Sequence, residues 1–133
     1  MTITMKPLSA AELGRVHKIE LPEKIMAFGL MVDKRVVATI GICWKFGGCF
    51  LWLDIIDAAD VAAERLGLAI VRAARRVLCL ASEMGETIVF CQIGEELKDE
   101  RLLTLSGFED HGDTLTPDGG EPMRLRSWHS LRA

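Results

Sequence analysis

Residues 50–85 read FLWLDIIDAADVAAERLGLAIVRAARRVLCLASEMG, and the architecture of the chain turns on them. Phe50 to Ile56 is a short apolar run with the length and composition of a buried strand. An acidic loop with Asp57 and Asp60 follows. From about Val61 to Met84, apolar residues recur at three- and four-residue steps: Leu66, Ile70, Ala73, Val77, Leu80 and Met84. That spacing predicts an amphipathic helix with one face in the core. Arg65, Arg72, Arg76 and Glu83 fall on a different, polar face, and Gly85 is a good helix stop. A strand that hands the chain to a helix N-terminus can present several backbone N–H groups to a phosphate.

Upstream, Thr2 to Lys6 is alternating and β-branched, a strand that Pro7 is expected to break. Ser9 with Glu12 three residues on makes a capping box, opening a helix with Leu13, Val16 and Ile19 on one face. Leu21-Pro22-Glu23 ends that unit. Lys24 to Val32, Val36 to Trp44 and Cys49 to Ile56 then form a three-stranded meander. Asp33-Lys34-Arg35 is its first turn. Lys45-Phe46-Gly47-Gly48 is the second, with the adjacent glycines that a tight hairpin favours.

Downstream, Thr87 to Ile93 reads as a buried strand, and Gly94 leads to a helix with a dipole-compatible start at Glu95 and Glu96. The helix carries Leu97, Leu102 and Leu105 and ends at Ser106-Gly107-Phe108. A last hairpin pairs Glu109–Leu115 with Met123–Trp128 across the Pro/Gly/Asp-rich loop Thr116–Pro122. The expected order is β-α-β-β-β-α-β-α-β-β, an α/β fold with a mixed sheet and helices on both faces. Its apolar strands are those of a covered sheet. A single domain over 1–133 is expected, long enough for a real core.

The net charge of −3 provides no global field for nucleic acid or anionic lipid, so neither is expected as a partner. No apolar run approaches the roughly 20 residues of a bilayer span. The N-terminus lacks the basic-then-apolar pattern of a secretory signal, and a cytoplasmic location is expected. Cys43, Cys49, Cys79 and Cys91 show no zinc-type spacing, so no metal is expected. They read as reduced core thiols; Cys43 and Cys49 flank the proposed hairpin turn and could in principle face each other. His17, His111 and His129 stand singly, without triad or metal spacing. Trp44 and Trp52, on adjacent strands, read as a cross-strand or core pair.

The element order, the Glu64-Arg65-Leu66-Gly67-Leu68-Ala69 helix start and the later Leu103-Thr104-Leu105-Ser106-Gly107-Phe108 together resemble the GNAT N-acetyltransferase superfamily. The likeness runs from Ile3 to about Trp128. It implies acetyl-CoA as cofactor and transfer of the acetyl group to a small amine or a protein amino group. The family's Q/R-x-x-G-x-G/A loop, whose amides hold the coenzyme A pyrophosphate, matches Glu64 to Ala69, with Arg65 and Arg72 as compensating cations. The family's splayed fourth strand, whose backbone binds the pantetheine arm, matches Leu53 to Ile56, with Leu53, Ile55 and Ile56 named for that contact. A carboxylate near that strand takes the amine's proton, and Asp54 is the match, with Asp57 second.

The chain also looks like the short, divergent GNAT-like proteins of phages and prophages, on the texture of Leu68 to Leu78 (LAIVRAARRVL). Glu64 stands where the family has Gln or Arg. Asp54, Asp57, Asp60 and Glu64 then place four carboxylates around the phosphate site, where like charge opposes an anion. There is no tyrosine, and Leu103 occupies the position of the family's thiolate-protonating one. An alternative therefore stands beside the enzyme: a catalytically inactive GNAT-like protein that self-associates or joins virion proteins as a structural or interaction component.

Overall fold

The computed structural model describes residues 2–17, 24–92, 97–116 and 119–130. Ile19, the Leu21-Pro22-Glu23 break and the Gly94-Glu95-Glu96 helix start lie outside them. The elements are β1 (Ile3–Leu8), α1 (Ala10–His17), β2 (Ile25–Val32), β3 (Arg35–Lys45), β4 (Gly48–Ile55), α2 (Ala63–Glu83), β5 (Ile88–Gln92), α3 (Leu97–Leu105), β6 (Thr114–Leu115) and β7 (Met123–His129). The strands form one mixed sheet in the order β1-β2-β3-β4-β5-β7-β6. Pairing is antiparallel except between β4 and β5, which are parallel.

Local chemistry explains most boundaries. The capping box forms reciprocally: the Ser9 N–H donates to Glu12 Oε1 and the Glu12 N–H to Ser9 Oγ, both at 3.1 Å. The backbone and hydroxyl donors of Ser9 hold the Glu12 carboxyl below its ordinary range. Gly85 (φ 95°) and Gly107 (φ 98°) terminate α2 and α3 in left-handed conformations. At each end paired backbone bonds close the helix, Glu86 N–H to Ala81 O and Gly85 N–H to Ser82 O, then Phe108 N–H to Leu103 O and Gly107 N–H to Thr104 O.

The core lies between the sheet and α2. Leu30, Ile40, Ile42 and Leu51 project from β2, β3 and β4 toward Ile70, Ala73, Ala74, Val77 and Leu78. Smaller packing on the opposite face gathers Cys43, Phe50 and Leu125 with Ile25, Trp52 and Phe90. α1 packs on β1 and β2 with Leu13 only 1% exposed.

Several sequence expectations are corrected. Pro7 does not break the first strand, because β1 is a sheet edge and the missing N–H needs no ladder partner. The second hairpin turns on Phe46 (φ 50°) and Gly47 (φ 75°), since Lys45 pairs with Gly48 and draws the second glycine into β4. Cys43 pairs with Phe50, and Cys49 with Trp44, so the two thiols sit on opposite sheet faces. All four cysteines are free. Cys79 is exposed rather than in the core. Burial, reinforced by Glu86, pushes the Cys49 thiol up to about 12.

The tryptophans are likewise separated. Trp52 lies over Gly41. Trp44, on the α2 face, donates to Glu86 Oε1 at 2.7 Å beneath Lys24, whose Nζ is 4.4 Å from the ring. The expected strand over Glu109–Leu115 shrinks to Thr114–Leu115 plus one bridge, Glu109 to Ser127. The left-handed Gly112 (φ 78°), whose N–H is taken by Asp110 Oδ1 at 2.9 Å, interrupts it.

Candidate functional site

Among the described residues one register pair, Phe50 with Phe90, joins β4 to β5. Their rings pack with centroids 5.7 Å apart and close one end of the junction. Beyond that point the two strands part, and a cleft of about 690 Å³ opens between them. Its walls include Leu53, Asp54 and Ile55 from β4, Cys91 from β5, and Leu102, Leu103 and Ser106 from α3 and its end. Arg75 of α2 donates through Nε and Nη2 to the Leu105 carbonyl at 3.2 and 2.7 Å, fastening α3 at the cleft wall.

Strand chemistry decides which backbone groups face the opening. In an antiparallel ladder the hydrogen-bonding direction alternates from residue to residue. The Ile56 N–H donates to Val37 O at 2.9 Å, so that alternate set (Trp52, Asp54, Ile56) is turned toward β3. Leu53 and Ile55 therefore turn their N–H and C=O toward β5, where the register gives them no strand partner among the described residues. These two residues offer an unused β-ladder edge inside the sheet. Of the three residues matched to the pantetheine contact, Ile56 alone has its amide committed to β3.

The two matched carboxylates part company. Asp54 lines the cleft, opposite Thr39 on β3. Asp57 is tied to Arg35, with Nη1 3.1 Å from Asp57 Oδ2, and is not among the cleft-lining residues. The Arg35 Nη2 also reaches both carboxylate oxygens of Asp60 at 2.8 Å. That contact holds the Asp60 carboxyl below its ordinary range, and Asp60 in turn raises the Arg35 guanidinium. Two of the four expected carboxylates, Asp57 and Asp60, thus share one arginine at the start of β3, whose single charge offsets one of theirs. Sequence separation of more than twenty residues hid the partnership.

The helix start differs from expectation. α2 begins at Ala63 rather than Val61, and its N-cap Ala62 provides no side-chain hydrogen bond. The Leu66 N–H already donates to Ala62 O at 3.0 Å. Helical register then commits the amides of Gly67, Leu68 and Ala69 to carbonyls one turn back. Of the Glu64–Ala69 motif, the amide of Glu64, with that of Ala63 before it, has no acceptor within the helix. Gly67 is half-buried, and a Cβ there would meet only Leu102 Cδ2 at 3.7 Å. Arg65, Leu68, Ala69 and Arg72 line a second groove, against β1, rather than the β4–β5 cleft.

Leu103, at the tyrosine-matched position, lines the cleft and offers no proton. The Ser106 hydroxyl is spent on the Leu102 carbonyl at 2.8 Å. Among the described residues no three His, Cys, Asp or Glu side chains converge to hold a metal. No described helix is long and apolar enough to cross a membrane.

One cluster was missed. His111 and His129 do not stand singly: their rings lie 4.7 Å apart. The Ser127 hydroxyl sits between His111 Nδ1 (2.6 Å) and His129 Nε2 (3.2 Å), with Glu109 Oε2 3.6 Å from His111 Nε2. The readable signal was the hairpin itself, since pairing Glu109 with Ser127 brings His111 onto β7. The cluster sits beyond the closed end, near the Ile88–His129 pair, and does not line the cleft.

Neither a family model nor a curated protein matches the sequence. Solved structures do match the fold. The chain is similar to the ribosomal-protein-S18-alanine N-acetyltransferase from Escherichia coli at a TM-score of 0.68 and 14% identity, over 96% of this chain and 94% of that one. It is similar to an aminoglycoside acetyltransferase solved with coenzyme A and kanamycin at a TM-score of 0.66 and 13% identity, over 99% and 100%. A GNAT family acetyltransferase from Elizabethkingia anophelis, with acetyl-CoA bound, gives a TM-score of 0.61 at 13% identity, over 96% and 98%. The chain has the GNAT acetyltransferase fold.

Proposed function

We propose that the chain is an acetyl-CoA-dependent N-acetyltransferase acting on a primary amine. The observation that carries this reading is the parting of β4 from β5 with the Leu53 and Ile55 backbone turned into the gap. A ligand arm carrying amide groups fits such an edge as a surrogate strand, with residues two apart about 6.6 Å from one another. The amides of Ala63 and Glu64 and the positive end of α2 then meet the diphosphate. Relatives of the same fold solved with coenzyme A or acetyl-CoA support the choice of donor, and the kanamycin-bound one supports an amine acceptor.

Bound acetyl-CoA supplies the thioester. Asp54, which lines the cleft, would take the proton that the amine sheds as its nitrogen bonds to the carbonyl carbon and the carbon–sulfur bond breaks. Leu103 at the wall has no proton to give, so the departing thiolate would be protonated from solvent. Calorimetry with acetyl-CoA and CoA, followed by thiol-release assays on primary amines, tests the proposal. Saturable binding is expected, with Asp54→Asn retaining affinity while kcat falls about a hundredfold. Absence of binding at millimolar ligand refutes it.

The commitment of the Gly67, Leu68 and Ala69 amides to helical bonds and the leucine at position 103 favour a second reading, a non-catalytic scaffold that self-associates or assembles into a larger particle, such as a virion. It predicts a defined oligomer without coenzyme affinity. A monomer that turns over acetyl-CoA eliminates it.

A further inference from the structure

A second groove, of about 580 Å³, runs between β1 and α2. Its helix wall carries Arg65, Arg72 and Arg76, all exposed, and its floor is apolar, with Ile3, Met5 and Leu30. Arg72 and Arg76 have no carboxylate partner among the described residues. Ile3 and Met5 pack toward the α2 core, so Thr2 and Thr4 project from the opposite face. Those threonines nevertheless line the groove, so it extends to the backbone of β1. β1 is the outer strand of the sheet. A cationic wall, an apolar floor and a strand edge left unpaired by the described residues thus share one concavity.

We propose that this groove docks an extended, acidic segment of a protein partner, added along β1 between Thr2 and Lys6. An extended segment projects side chains alternately. One set fits the apolar floor beside Ile3 and Met5, while carboxylates on the segment meet the arginines of the helix wall. Helical rise puts Arg65, Arg72 and Arg76 over roughly 16 Å, which matches about five residues of extended chain. Pro7 limits the usable edge, because its ring nitrogen cannot donate to an added strand. Guanidinium groups suit carboxylates through paired N–H donors, and a chain of net charge −3 that keeps three arginines along one helix face retains local complementarity to an acidic ligand. The proposal is independent of any chemistry in the β4–β5 cleft.

Fluorescence anisotropy of the full chain tests it, using a labelled peptide of about eight alternating valine and glutamate residues. A valine–lysine peptide is the charge control and inorganic pyrophosphate the competitor. Saturable binding of the acidic peptide alone is expected, with backbone amide shifts at Ile3 and Met5 by NMR. Arg76→Glu should weaken it at least tenfold, Arg72→Glu/Arg76→Glu further, and Arg76→Lys much less, all with unchanged circular dichroism. Three results overturn it: no saturable binding, undiminished binding by Arg76→Glu, or displacement by pyrophosphate without any shift at β1. Sedimentation showing a second copy of the chain in the groove would also overturn it.

Discussion

Gly41 shows how a single residue constrains the sheet. A Cβ built there falls 2.0 Å from the Met26 carbonyl oxygen and 2.9 Å from Trp52 Cζ2. The backbone clash cannot be relieved by a rotamer change, and Trp52 is itself held across the Gly41 pairing. Gly41→Ala should therefore destabilise the protein by on the order of 3 kcal/mol or more, against the usual few tenths for an exposed glycine. Chemical denaturation of wild type and variant measures it. A loss under 1 kcal/mol would mean that the strands shift to make room. The glycine was visible in the sequence as one of several small residues in a strand, but its necessity was not. That depends on register, and a one-residue difference in register decides which face each side chain occupies. The same blindness produced the misread cysteine and tryptophan pairs, whose partners are set by Lys45 lying opposite Gly48.

The elements themselves were largely readable. The stripe from Leu66 to Leu80, the Ser9–Glu12 box and the glycines at 85 and 107 are local signals that the structure uses, whereas Met84, the last residue of the expected stripe, is 53% exposed. The start of α2 was harder, because no side chain caps it and Ala62 and Ala63 leave the boundary to backbone geometry. Its electrostatics yield a prediction. Glu64 sits in the first turn, where a carboxylate favours the helix dipole by about 0.3–1 kcal/mol but repels a diphosphate at the same place. Glu64→Gln should thus tighten coenzyme A binding by about two- to fivefold while slightly lowering the melting temperature. Calorimetry and thermal melts on the same preparation check both signs. Weaker binding in the variant would place the diphosphate elsewhere.

Long-range charge pairing belongs to the molecule as a whole, and it was the least readable property. Arg35, at the start of β3, reaches Asp57 and Asp60 beyond the end of β4, and Arg126 approaches Asp110 at 3.4 Å. A carboxyl whose pKa is depressed on folding binds fewer protons folded than unfolded. Its stabilisation is complete above the unfolded value, near 4, and drains away as pH falls through the lower folded value. Glu12, Asp60 and Asp110 are all depressed, by Ser9, Arg35 and the Gly112 amide respectively. Melting temperature should accordingly drop on acidification below about pH 4. Arg35→Ala should lie below wild type at pH 6–7 and converge with it in acid. A gap that stays constant with pH would mean that Arg35 acts by packing rather than charge.

The Phe50–Phe90 rung, single among the described residues, also bears on solubility. A ladder edge left unpaired on the perimeter of a sheet recruits neighbouring chains and seeds aggregates. Leu53 and Ile55 carry such an edge, but it faces inward, into a wedge that narrows to two packed rings. A passing polypeptide would have to thread that wedge lengthwise with its side chains attached, whereas a slender unbranched molecule has no such obstacle. The geometry therefore sets this open edge within the sheet rather than on its perimeter, although the Leu53 and Ile55 side chains are themselves exposed.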